Sequence, residues 1–218
     1  MIKALLFDLD GTLVDSLADL VNSINSVLAR EDLPLRQSDE VRQMIGQGMV
    51  NLVHRAIPET LHGTEAETRL LRAVQAEYDL RCLEETRPYP RIAPLLTELR
   101  ARGIALAVLS NKPDAFVIRI VDALFPEGTF GEVRGECRDF PKKPDPASAL
   151  DIARRLGIES ASCAFVGDSG VDIATGKAAG MLSIGVTWGY RERAELEAAE
   201  AAVIVDRAEE ILGLLGVN

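Results

Sequence analysis

Aromatic residues are scarce in this chain: they make up 5% of it, with a single Trp. Aliphatic side chains must therefore supply most of any core, and 47% hydrophobic residues over 218 positions is enough to build one. There are only two histidines and three cysteines. Cys82, Cys137 and Cys163 are scattered and show no C-x-x-C spacing, which argues against a zinc site and for free thiols in a reducing compartment. Basic residues are outnumbered, 24 against 34 acidic ones, giving a net charge of −10. That leaves no electrostatic footprint for nucleic acid. No apolar run is long enough for a membrane span or a signal peptide, since the N-terminal run stops at Asp8. The expectation is a cytoplasmic protein with neither a membrane nor a nucleic-acid partner. Because the overall charge repels anions, an anionic ligand needs local positive groups.

Short apolar runs recur at Ile2–Phe7, Ile104–Leu109, Cys163–Val166, Leu182–Val186 and Ala202–Val205. Helical spacing separates them. Ile92, Leu95, Leu96 and Leu99 share one face, as do Val117, Ile120, Val121 and Leu124, then Ala149, Leu150 and Ala153. This alternation predicts an α/β fold, an open parallel Rossmann-like sheet with helices on both faces. The stretch from Ser16 to Arg87 breaks the alternation. Leu17, Leu20, Val21, Ile24, Val27 and Leu28 line one helical face after a start signal at Ser16 and Asp19. A capping-box pattern at Thr64 and Glu67 opens another helix. No strand pattern is evident there. The reading is a core of residues 1–15 and 88–218, with an all-helical domain, 16–87, inserted after the first strand.

Ligands of open parallel sheets bind at the carboxyl ends of the strands, and the polar residues gather there. The first strand delivers Asp8, Asp10 and Gly11; the second delivers Ser110, Asn111 and Lys112; a later one delivers Asp168, with Asp172 following. Lys142 and Lys143 lie between them in sequence. A carboxylate at Asp8 can attack phosphorus, and one at Asp10 can give and take the proton. Asp8 and Asp168 can hold Mg²⁺, which prefers oxygen ligands. Lys143 can offset the crowded negative charge and keep Asp8 ionised. Ser110, Asn111 and the backbone around Gly11 are candidate phosphate contacts. Ser110 and Asn111 also suit a helix N-cap before Pro113. Gly46, Gln47 and Gly48 form a possible substrate loop in the inserted domain. Lys112 reads as solvated or near the substrate, and Trp188 and Tyr190 as packing beneath a loop.

Taken together, FDLDGTLVDS, VLSNKP, KKPDP and GDSGVDIATGKAAG resemble, in order and spacing, the four signatures of the haloacid dehalogenase superfamily. The resemblance covers essentially the whole chain, the inserted helices matching that family's cap. It implies Asp8 as nucleophile and Mg²⁺ ligand, and Asp10 as acid/base with its backbone carbonyl on the metal. It further implies Lys143 as the third-signature lysine, Asp168 as metal ligand and Asp172 as its support. Asp10 marks the phosphatase branch, because dehalogenases and phosphonatases of the family lack that aspartate. GQG at 46–48, RPYP at 87–90 and GVTWGY at 185–190 resemble the phosphoglycolate phosphatase-like subgroup. Arg91 departs from it where glycine is usual, as does Gly170-Val171, where larger polar residues are common.

The expectation is thus a Mg²⁺-dependent phosphatase acting on a small phosphorylated molecule, with 2-phosphoglycolate foremost. Alternatives are a pyrophosphatase, or a nucleotide or sugar-phosphate phosphatase. A phosphomutase ranks lower, since that type usually has Gly-Val and Asp-Thr where this chain has Gly11-Thr12 and Asp15-Ser16. A non-catalytic binding protein is disfavoured by the complete charge set. With no heptad and no obvious interface stripe, monomer and homodimer are equally compatible with the sequence.

Overall fold

The computed structural model describes residues 1–215. Its first strand, β1 (Ala4–Phe7), leads through a tight turn to β2 (Val14–Asp15). Four helices follow: α1 (Leu17–Arg30), α2 (Ser38–Met44), α3 (Met49–Ala56) and α4 (Glu65–Arg81). The chain then returns through β3 (Arg87–Pro88), α5 (Ile92–Ala101), β4 (Ala105–Pro113), α6 (Asp114–Leu124) and β5 (Glu132–Glu136). Next come α7 (Ala147–Arg155), β6 (Cys163–Gly167), α8 (Gly170–Ala178) and β7 (Leu182–Val186). The last described elements are α9 (Arg193–Ala198), β8 (Val203–Val205) and α10 (Glu210–Leu214).

Six strands form one parallel sheet in the order β5-β4-β1-β6-β7-β8. This is the Rossmann-like sheet that the alternation predicts. Successive strand residues face opposite sides, and β1 shows it: Leu5 and Phe7 join one buried cluster, Ala4 and Leu6 the other. Helix α7 covers the second face through Ala149, Ile152 and Ala153. The first cluster continues from the sheet into α1–α4 through Leu20, Ile24, Leu52 and Tyr78. No helix among the described residues is long and apolar enough to cross a membrane.

The sequence reading misses β5. It is an edge strand, EVRGE, only partly buried, so no apolar run marks it. Arg87, at the boundary where the chain returns from the inserted helices, pairs with Asp15 in the small antiparallel β2–β3 ribbon. Helix α1 starts at Leu17, where Ser16 and Asp19 signal a helix start, but not through a capping bond. Ser16 makes no side-chain cap bond. Asp19 is fully buried and accepts the N–H groups of Glu85 and Thr86 and the Thr86 hydroxyl. It thereby ties the start of α1 to the chain leaving α4. At Thr64 the N-cap does form: its hydroxyl oxygen accepts the Glu67 N–H, while the Glu67 carboxylate takes the Gly63 N–H.

Candidate active site

The sheet changes winding direction at β1, whose neighbours are β4 and β6. Crevices form at the carboxyl ends of strands at such a point. Asp8, Ser110 and Asp168 project there from the ends of these three strands or just beyond, and all are buried. Gly11 takes a φ of +84° in the turn after β1, and its N–H bonds to the Val14 carbonyl. That N–H is therefore committed to the turn and not free for phosphate. The glycine is needed for another reason: a Cβ there would stand 2.3 Å from Asp168 Oδ2.

Lys143 Nζ lies 2.9 Å from Asp8 Oδ1 and 2.7 Å from Asp172 Oδ1. Asp172 also accepts the N–H and hydroxyl of Ser169, making a capping box at the start of α8. Its oxygens are thus occupied by protein donors. Asp168 Oδ2 accepts the Tyr190 N–H at 2.6 Å. Asp8, Asp168 and Asp172 each offer an oxygen within 4.8 Å of the others.

The electrostatics of this cluster are unbalanced. Burial, opposed by Lys143 and reinforced by Asp172, pushes the Asp8 carboxyl up to about 6. Lys143 favours the ionised form of Asp8, as the sequence reading has it; desolvation leaves the carboxyl at about 6, so the charged form still predominates at neutral pH. Burial, together with Asp172 and Asp8, also raises Asp168 well above the usual carboxylate range. Four buried carboxylates, including Asp10, face two buried ammoniums, Lys143 and Lys112. The oxygen-rich donor set and the excess of negative charge fit a hard divalent cation such as Mg²⁺.

Asn111 differs from its expected role. Its amide donates to the carbonyls of Gly46 and Lys143 and accepts the Lys143 N–H. The side chain is spent on fixing Lys143, leaving no donor for phosphate. Neither Ser110 nor Asn111 caps α6, because β4 runs on to Pro113. The Ser110 hydroxyl faces the cleft and accepts only a long contact from the Lys112 N–H, at 3.4 Å, so its own proton is available. In the glycine loop, Gly46 and Gly48 line the cleft while Gln47 is exposed outside it.

Lys112 is the largest surprise. It is 5% exposed, and its Nζ lies 2.9 Å and 3.0 Å from the two Asp10 oxygens. Burial alone would lower its ammonium, but Asp10 and Tyr78 together outweigh this and hold it above the ordinary lysine range. The Ser16 hydroxyl donates to Asp10 Oδ1 at 2.5 Å. Sequence reading takes Tyr190 only as packing beneath a loop and does not single out Arg191. The Tyr190 hydroxyl accepts the Ser16 N–H. Arg191 donates to the carbonyls of Arg42 and Ile45 at the end of α2. Trp188 donates to the Thr12 carbonyl. The GVTWGY pattern is the only sequence signal for this loop, and it does not reveal these partners.

The cleft spans about 550 Å³, counting space open to solvent. Its floor is the charged cluster; its roof is Leu20, Ile45, Gly46, Gly48, Met49 and Leu52 from the inserted helices.

The haloacid dehalogenase-like hydrolase family matches residues 2–180. The chain belongs to that family. It is 33% identical over 215 residues to phosphoglycolate phosphatase 1 of Pseudomonas aeruginosa, covering 96% of this chain and 78% of that one. It is 34% identical over 235 residues to the phosphoglycolate phosphatase of Escherichia coli O157:H7, covering 99% and 93%. A solved structure from Lactobacillus delbrueckii, provisionally assigned as a phosphoglycolate phosphatase, superposes with a TM-score of 0.92 at 31% identity, covering 99% of both chains. In this haloacid dehalogenase-like hydrolase the charged cluster draws Asp8 and Asp10, Lys112, Lys143, and Asp168 and Asp172 from four separate segments of the sequence.

Proposed function

We propose that this hydrolase is a Mg²⁺-dependent phosphatase that cleaves a small phosphomonoester through an aspartyl-phosphate on Asp8. The observation that carries this is the buried set of Asp8, Asp168 and Asp172, with Lys143 between Asp8 and Asp172, at the floor of a cleft roofed by the inserted helices. The reaction class is phosphoric monoester hydrolysis. Relatives named phosphoglycolate phosphatase, at 33–34% identity over nearly the whole chain, make 2-phosphoglycolate the foremost substrate.

An Asp8 oxygen attacks phosphorus as the bond to the leaving oxygen breaks, and Asp10 gives that oxygen a proton. Water then attacks the phosphorus of the aspartyl-phosphate. Asp10 takes its proton, the bond to Asp8 breaks and phosphate leaves. The carboxylates of Asp8 and Asp168 and the Asp10 backbone carbonyl would hold Mg²⁺, with Asp172 supporting from behind. The bound ion would neutralise phosphate charge and align it with Asp8. Ser110 donates to a phosphate oxygen, and Lys143 balances Asp8. Residues 16–87 act as a cap: their apolar roof excludes water, and Arg191 and Asn111 hold them to the core. Three unpaired thiols suit a reducing cytoplasm.

The test is phosphate release from 2-phosphoglycolate, pyrophosphate, hexose phosphates and nucleotides, with Mg²⁺ and with chelator. Selective, chelator-sensitive release from 2-phosphoglycolate is expected, and Asp8→Asn should lose it by at least ~10³-fold. Near wild-type turnover in Asp8→Asn would refute the nucleophile.

A further inference from the structure

The Asp10 carboxylate is gripped by two side chains through three contacts. Lys112 Nζ contacts both oxygens, at 2.9 Å and 3.0 Å, and the Ser16 hydroxyl donates to Oδ1 at 2.5 Å. A cation held on both oxygens fixes the carboxylate's rotation as well as its position. Lys112 is itself held. Its Nζ sits 4.6 Å from the centroid of the Tyr78 ring, and a desolvated cation over an aromatic face is firmly placed. Tyr78 is fully buried, belongs to α4 of the helical insertion, and meets Phe116 of α6 edge-on at 5.1 Å. A side chain of the insertion thus reaches across to the core and ends on the lysine that holds Asp10.

We propose that Lys112 is a positioning residue for Asp10, and that Tyr78 makes this positioning depend on the insertion being seated on the core. The proposal rests on the phosphatase reading, in which Asp10 handles the proton. When the insertion lifts, Tyr78 leaves with it and Lys112 loses its platform. Asp10 is then aligned only while the cleft is covered. Proton transfer to the leaving group is thereby confined to the water-excluded state.

The experiment compares an alkyl phosphate with p-nitrophenyl phosphate, whose leaving group needs no proton. In Lys112→Met, kcat/KM should fall on the order of 10²-fold for the alkyl ester and much less for the aryl ester. Tyr78→Leu should show the same imbalance in milder form. In an Asp10→Asn background, adding Lys112→Met should cost little more, because both changes disable the same step. Equal losses on both esters, or full additivity with Asp10→Asn, would overturn the proposal and make Lys112 a substrate contact or a packing residue. A crystal structure of Lys112→Met gives an arm independent of turnover. Asp10 should rotate away from the position it holds beside Ser16, and an unmoved Asp10 would refute the orienting role while leaving the phosphatase reading intact. Conversely, wild-type turnover indifferent to Asp8 would refute that reading without touching the Lys112–Asp10 contact.

Discussion

Lys143 Nζ lies 2.9 Å from Asp8 Oδ1, yet the Asp8 carboxyl still sits at about 6. Burial costs the charged form more than one shared lysine returns, because Asp172 draws on the same ammonium. The charged form of Asp8 is therefore less favoured than that of a free side chain, and a further positive charge beside it would favour that form.

This arrangement sets the acid side of the pH profile. At low Mg²⁺, kcat/KM should fall as pH drops below about 6, where Asp8 takes up its proton. Raising Mg²⁺ should move that limb to lower pH, because cation and proton compete for the same carboxylates. Lys143→Met should move it up. A limb indifferent to Mg²⁺ would show that Asp8 does not face the metal.

The same groups affect stability. Asp8 and Asp168 both have folded-state pKa values raised above their ordinary ones. Their contribution is fully present below about pH 4 and is lost as pH rises through the raised values. Without metal, Asp168→Asn should therefore melt several degrees above wild type at pH 8, with the gap closing near pH 4. Mg²⁺ should raise the wild-type Tm and leave the variant's almost unchanged. Equal Tm values at pH 8 in chelator would contradict the charge excess.

Arg91 precedes α5 with a φ of +69°, in the left-handed region. A side chain there costs about 1–2 kcal/mol. Glycine would remove that strain, while the unfolded chain's added freedom takes back about 0.4–1 kcal/mol. Arg91→Gly should thus stabilise the fold by about 0.5–1 kcal/mol, measured by urea unfolding. The Arg91 side chain makes no hydrogen bond or ion pair among the described residues that would reverse the sign.

Much of this was legible in the chain itself. Apolar runs marked β1, β4, β6 and β7, because buried parallel strands must be apolar on both faces, and also the edge strand β8, which is only partly buried but reads VIV. The strand ends then placed Asp8, Ser110 and Asp168 at one crevice, since the topology leaves them nowhere else to converge. The edge strand β5 had no such signal, because its sequence, EVRGE, is mostly charged. Lys112, Tyr78 and Tyr190 stayed hidden for a different reason. Their roles are contacts across 102, 34 and 22 positions, to Asp10, Lys112 and Asp168. No local pattern encodes which lysine is buried against which carboxylate. Only the packing of the helical insertion on the sheet decides that Lys112 loses its water, and so must find Asp10.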